Sequence, residues 1–365
     1  MTNLLKTRSE HARLRLEVTQ ELEDIFARSR RTAEAYGPEF LGLWDLAADH
    51  AQGGKLIRPL LMLEMFEALG SNEPSASNRS EAVRIAAAIE VLHFALLLHD
   101  DVIDGDLVRR GRPNLIGELA TSSFDETHSD AAQHWAKSGA ILAGDLLLSA
   151  THQLFARANV SGSLKERLLD LLEHTIFETT AGEFVDVGLS DGVIRSDLST
   201  VLQMTGRKTA CYSFELPLRA AVILSGGSQE LERRLSTAGA HLGLAYQLQD
   251  DLLSTFGDAA AHGKDAYSDL REGKQTAIIS FARMSNSWPS IEPDFADPQL
   301  SFERAEHLRD LLRECGAEDF VLGLIQEQLG AFYESLAVVN ETASIPTRVR
   351  DVLLDLAARF EGRKS

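Results

Sequence analysis

The sequence predicts an all-α protein, and three observations carry that prediction. Long segments place apolar residues three and four apart, the period of a helix face. Alternating β-branched stretches bounded by turn residues, which strands need, are nearly absent. Several segments, among them AAAIEVLHFALLL and AILAGDLLLSA, are apolar round most of their circumference and belong inside a large bundle, with more amphipathic helices outside. Together they predict one helical domain over residues 1–365.

In chain order, LRLEVTQELEDIFARS opens with an amphipathic repeat. In GGKLIRP, Gly53 and Gly54 introduce Lys55 and Arg58, whose three-residue spacing predicts one helical face. RIAAAIEVLHFALLLHDD predicts a core helix, and if the helix from Ala86 continues through Asp100 and Asp104, both carboxylates lie at its C-terminal end. GAILAGDLLLSATHQLFARA and LKERLLDLLEHTIFETTAGEFVDV predict two more, and Ala240 to Leu253 another. Breaks are expected at Gly70 to Ser80, Thr121 to Trp135, Ser225 to Glu230 and Ser285 to Ser301. The last is Pro-rich, acidic and aperiodic, and reads as a surface loop.

The chain has 365 residues, 44% of them hydrophobic, which is ample for a large core. With 36 basic and 55 acidic side chains the formal charge is -19, which argues against nucleic acid or an anionic membrane as a partner. An anionic ligand therefore needs a local basic cluster working against the global field. Cys211 and Cys315 are too few for a disulfide framework or a zinc site and fit a reducing cytosol. The N-terminal MTNLLKTRSEHARLRLEV lacks an apolar signal region, and no uninterrupted apolar run approaches the roughly 18 residues of a membrane span. A soluble, unprocessed, cytoplasmic protein is expected.

The stretch LLLHDDVIDGDLVRRGRPN sets Asp100, Asp101, Asp104 and Asp106 after an apolar helix and follows them with Arg109, Arg110 and Arg112. Asp100 and Asp104 share a helix face. At a helix C-terminus they meet the negative end of the macrodipole and repel each other. A divalent cation reverses the sign of each effect. Carboxylate oxygens point to Mg2+, which takes one or two carboxylates and completes its octahedron with water and phosphate, so a phosphorylated ligand is implied. Asp250 and Asp251 in AYQLQDDLLSTFGD end another apolar helix in the same way, and two such ends could clamp metal ions from opposite sides. Basic residues recur beside these acids: Lys208 with Thr209 in GRKTA, and Lys264 and Lys274 in GKDAYSDLREGKQT. Each base taken singly is compatible with solvated surface; their joint presence points to a polyanionic ligand.

These motifs, running from GGKLIRP through HFALLLHDDVIDGDLVRRGRP, GEFVDV, KTA and YQLQDD to GKQT, resemble those of the trans-isoprenyl diphosphate synthases, or polyprenyl synthetases. They cover the catalytic two thirds of the chain in the family's order. The resemblance implies a ring of helices round a deep central cavity, usually in a homodimer, with two aspartate-rich helix ends holding about three Mg2+ ions on an allylic diphosphate. By that resemblance Asp100 and Asp104 are first-motif metal ligands supported by Asp101, Asp250 is the second-motif ligand, and Asp186 is a further acid near the diphosphate. Arg109, Lys208 and Lys264 hold the allylic diphosphate, with Thr209, Gln247 and Lys274 adjoining. Lys55, Arg58, His93 and Arg110 hold isopentenyl diphosphate. The implied reaction is ionisation to an allylic carbocation, attack by the isopentenyl double bond, and loss of a proton.

Two positions depart from the family pattern. Ser254 stands where a third Asp is usual in the second motif, and Glu183 where Gln is commoner. Ser254 is expected to weaken metal affinity modestly and leave the site to Asp250. In the family, the residues five and four positions before the first Asp form the floor for the growing product; here they are Ala95 and Leu96. Alanine is a low floor and predicts geranylgeranyl diphosphate, with farnesyl or longer polyprenyl diphosphates as alternatives. A type I terpene cyclase would carry an Asn/Ser/Glu metal triad, which is missing, and would not need the isopentenyl site. A regulatory subunit of a heteromeric synthase has only Ser254 in its favour, since the first motif is intact.

Overall fold

The structure, a computed structural model, describes residues 2–70, 76–109, 111–123, 129–257, 267–337 and 345–361. They are helical almost throughout, as the periodicity predicts. Among the described residues the only strands are two short antiparallel ones, β1 (Val108–Arg109) and β2 (Arg112–Pro113). Backbone contacts gather the chain into two compact units: Met1–Leu172 with Leu216–Ser228, and Glu173–Glu215 with Gln229–Ser365.

The first unit contains α1 (Thr2–Ala33), α2 (Pro38–Gln52), α3 (Ile57–Leu69), α4 (Ala76–Asp104), α5 (Leu115–Ser123) and α6 (Asp130–Ala156). It also takes in the start of α7 (Gly162–Ser190) and α9 (Leu216–Leu224). α4 is its core, packed against α1, α3, α5, α6 and α9. Its stretch Asn78–Asp104 is long and apolar enough to cross a membrane by composition, but 61% of that window is buried in protein. Ala86, Ala87 and Ala88, all fully buried, let neighbouring helices approach closely. α1 contributes Leu14, Val18 and Leu22 at four-residue spacing, each almost fully buried and each leucine stabilising by about 1.5–3 kcal/mol. Trp44 on α2 packs against Phe26, rings tilted with centroids 5.5 Å apart, and donates Nε1–H to its carbonyl at 3.0 Å.

The second unit contains the rest of α7, α8 (Leu198–Thr205), a π-helical stretch (Gly206–Glu215), α10 (Gln229–Phe256), α11 (Ser268–Glu272), α12 (Ala277–Met284) and α13 (Trp288–Ile291). α14 (Phe302–Glu314), α15 (Ala317–Ser335) and α16 (Thr347–Glu361) complete it. α10 packs on the π-helical stretch and on α15. α16 docks through Phe360, whose ring lies 4.9 Å from Tyr246 and 5.8 Å from Phe214, and Gln249 donates to the Phe360 carbonyl at 3.1 Å. Pro217 follows the widened stretch; its missing N–H leaves the turn against Ser213 unclosed, which favours a wider helix just before it.

Three expectations are corrected. Lys55 and Arg58 do not share a helical face: Leu56, at φ 55°, is left-handed, and α3 begins only at Ile57. The breaks after Gly70 and Thr121 are shorter than expected, because α4 begins at Ala76, α5 runs to Ser123 and α6 begins at Asp130, where Ser129 accepts a capping bond from Ala132 N–H. Ser285 to Ser301 is a packed segment, not just surface. It contains α13, buries Ile291 and Leu300, and sets Arg283 over the Trp288 ring at 4.5 Å.

Candidate active site

In the first unit the C-terminal end of α4 carries Asp100, Asp101 and Asp104. Asp104 is exposed, Asp100 half-buried, and Asp101 only 3% exposed. The chain reverses at Gly105 (φ +75°) and Gly111 (φ +72°), so that β1 pairs with β2 and Arg109 returns over the helix end. Asn114 secures the reversal: its Nδ2 donates to the Asp106 carbonyl at 2.8 Å and its Oδ1 accepts from Gly117 N–H at 2.9 Å. Gly117 is obligatory there, because a Cβ would lie 2.3 Å from the Leu107 carbonyl oxygen.

Arg109 accordingly meets two of the acids. Its Nε and Nη2 donate to Asp101 at 3.0 and 2.5 Å, and Nη2 reaches Asp100 at 3.2 Å. Burial pushes the Asp101 carboxyl above its usual range in spite of that partner. Burial also opposes the charge on Arg109, but Asp101 and Asp100 outweigh it and hold the guanidinium firmly protonated. Asp101 thus serves Arg109, while Asp100 and Asp104, one turn apart, lie nearer solvent. Further down α4, Leu96 is half-buried one turn below Asp100, and Ala95 is fully buried.

Lys55 is exposed and Arg58 half-buried at the start of α3, and His93 is buried on α4, against which α3 packs. Arg110 and Lys264, expected beside them and beside Lys274 respectively, lie outside the described residues.

In the second unit the π-helical stretch brings Lys208 against α7. Its Nζ lies 2.7 Å from Asp186 and 2.9 Å from Glu183. The backbones approach so closely that a Cβ on Gly182 would sit 2.4 Å from the Lys208 nitrogen. Thr209, next along, is half-buried. A second close approach, of Gly243 to Ala210 and Phe214, seats the same stretch on α10.

The end of α10 carries Asp250, Asp251 and Ser254. Gln247 donates to Asp251 at 2.9 Å. Burial, with Asp269 and Asp250 close by, pushes Asp251 up to about 7, only partly offset by Gln247 and Lys274. Ser254 donates its hydroxyl to Asp269, and Lys274 lies 3.6 Å from Asp269 and 3.2 Å from Glu272. Asp269 was missed by sequence reasoning. It sits on α11, fifteen positions after Ser254, and supplies a carboxylate at the place where the motif lacks one; its signal was SDLREGK beside Lys274.

These groups fit Mg2+. The donors are carboxylate oxygens, and a carboxyl held near neutrality by burial and like charge is what a divalent cation would relieve. Among the described residues no three ligating side chains form a ready cage.

A sequence model described as polyprenyl synthetase matches residues 44–292. The chain is 31% identical over 306 residues to a geranylfarnesyl diphosphate synthase of Aeropyrum pernix, covering 82% of this chain and 87% of that protein. It is 32% identical to a geranylgeranyl diphosphate synthase of Sulfolobus acidocaldarius over 84% of this chain and 87% of the other. Among solved structures, a geranylgeranyl pyrophosphate synthase from Corynebacterium glutamicum, complexed with isoprenyl diphosphate and magnesium, superposes with a TM-score of 0.87. It is 27% identical, covering 96% of this chain and 99% of that one.

Two outcomes are expected. Gly182→Ala should cost about 2–3 kcal/mol in urea unfolding, because backbone atoms and not a flexible side chain must give way; an unchanged midpoint would contradict the close approach. Folded Asp251 titrates near 7 against an ordinary 3.8, so the stability it confers is complete below about pH 4 and lost as pH rises through about 7. In metal-free protein, Asp251→Asn should flatten the denaturation midpoint across that range, measured by urea titration at several pH values.

Proposed function

The chain belongs to the polyprenyl synthetase family, and we propose that, as a trans-prenyl diphosphate synthase, it extends allylic diphosphates with isopentenyl diphosphate as far as geranylgeranyl diphosphate. The observation that carries the reading is the order of residues on α4. Leu96, Asp100 and Asp104 follow one another at four-residue spacing on one side, apolar first and acidic after. That order suits a ligand with an anionic head and an apolar tail.

By the family resemblance Asp100 and Asp104 in the first unit, and Asp186 and Asp250 in the second, are the residues that would hold Mg2+, whose charge would make the allylic diphosphate a better leaving group. By the same resemblance Arg109 in the first unit, and Lys208, Lys264, Thr209, Gln247 and Lys274 in the rest of the chain, would bind the allylic diphosphate. The carbon–oxygen bond breaks with its electron pair going to the diphosphate. Lys55, Arg58, His93 and Arg110 hold isopentenyl diphosphate, so that its double bond supplies the electrons of the new carbon–carbon bond. The released diphosphate takes the proton lost from the adduct. Apolar residues of α4 keep water from the cation meanwhile.

Product length rests on Ala95 and Leu96, neither of them bulky enough to stop the chain at farnesyl. A homodimer is supported by α6, whose Trp135, Leu142 and Leu146 are 44%, 56% and 41% exposed on one face and suit burial against a second copy. Cys211, buried, and Cys315, half-buried, form no disulfide, which suits the cytosol.

Incubated with Mg2+, isopentenyl diphosphate and dimethylallyl, geranyl or farnesyl diphosphate, the protein should yield geranylgeranyl diphosphate, sized after dephosphorylation. Consumption of an allylic diphosphate without isopentenyl diphosphate would sink the reading in favour of cyclisation. Ala95→Phe and Leu96→Phe should each shorten the product, and unaltered products from folded variants would refute the floor. Ser254→Asp sets a carboxylate against Asp269. It should lower the metal-free melting temperature and reduce the Mg2+ needed for half-maximal turnover; no change in either would mean that Ser254 does not weaken the metal site.

A further inference from the structure

We propose that Arg15, on α1, is a positioning residue for isopentenyl diphosphate, holding loop 53–56 in the conformation that presents Lys55 and Arg58. The inference rests on the functional reading of those two bases. Arg15 donates from Nη1 to the Lys55 carbonyl at 3.2 Å and from Nη2 to the Gly54 carbonyl at 2.9 Å. The loop it grips is an irregular link between two helices. α2 ends at Gln52, α3 starts at Ile57, and Leu56 between them is left-handed at φ 55°, ψ 34°. A residue with a Cβ stays in that region only where its surroundings over-determine it.

Three surroundings do so. The Leu56 side chain is 2% exposed, anchored in the core. From below, buried Glu90 of α4 lies so near Gly54 that a Cβ there would sit 2.9 Å from its Oε1. From the solvent side Arg15 grips the two successive carbonyls. A planar guanidinium fork can satisfy both at once, whereas an ammonium on a flexible stem has no such fixed geometry. Loss of the grip frees the peptide units on both sides of Lys55, and with them the direction of its side chain and the entry into α3, where Arg58 sits. Arg13, two residues earlier, bonds Glu67 and Glu17 without touching the loop, and so serves as a control for general loosening of α1 against α3.

The test uses the full chain. Arg15→Ala should weaken binding of isopentenyl diphosphate, titrated calorimetrically without allylic substrate, by about tenfold, and raise its KM alike. The KM for geranyl diphosphate should stay within about twofold, since that substrate does not use the loop. Amide exchange at 54–57 should quicken, and Arg15→Lys should recover part of the affinity. Arg13→Ala should leave both KM values at wild type. Equal isopentenyl diphosphate affinity with unchanged loop exchange in Arg15→Ala overturns the proposal, as does a rise in both KM values that Arg13→Ala reproduces. Wild-type protein that binds no isopentenyl diphosphate would overturn the functional reading instead, and the exchange measurement would still decide whether Arg15 holds the loop.

Discussion

The chain must keep charge at the ends of apolar helices, and its other local features answer to that constraint. Acids at the C-terminus of α4 oppose the helix dipole and one another, and the chain as a whole, at -19, offers no favourable field. Compensation is therefore local. Arg109 turns back to Asp101 and Asp100, and Lys208 stands between Glu183 and Asp186. At the end of α10, burial with Asp269 and Asp250 nearby raises the pKa of Asp251, and among the described residues Gln247 and Lys274 offset this in part.

Charges are placed by backbone before they are placed by side chains. Lys208 reaches its two acids because Gly182 lets α7 touch the π-helical stretch, and Gly243 lets α10 touch the other side of that stretch. Arg109 returns to α4 because Gly105 and Gly111 adopt positive φ and Gly117 admits the Leu107 carbonyl. Lys55 leaves the helix because Leu56 breaks it. In each case a missing Cβ or a residue at positive φ aims a base, and side-chain bonds then hold the aim. The wide turn of residues 206–215 belongs to the same pattern, since π-helical segments concentrate where function outweighs ideal helix geometry.

Much of this was legible in the sequence. Helical periodicity is local, so α4, α6, α7 and α10 were readable, as was the pairing of Asp100 with Asp104 one turn on. Boundaries were less legible. The polar residues near Gly70 and Thr121 suggest loops, yet α4 and α6 begin within them, because a helix held by tertiary packing tolerates polar residues on its outer face. Ser285 to Ser301 has no period, so its burial of Ile291 and Leu300 could not be read.

By itself the sequence determined the all-α class, the family and the order of its motifs, because residue type and spacing along a helix are one-dimensional quantities. Only the tertiary structure decided which acid meets which base. Asp269 beside Ser254, Arg15 on the Gly54 and Lys55 carbonyls, and Lys208 between Glu183 and Asp186 join residues fifteen or more positions apart. Such contacts depend on how closely backbones approach, and spacing along a single chain carries no measure of that distance.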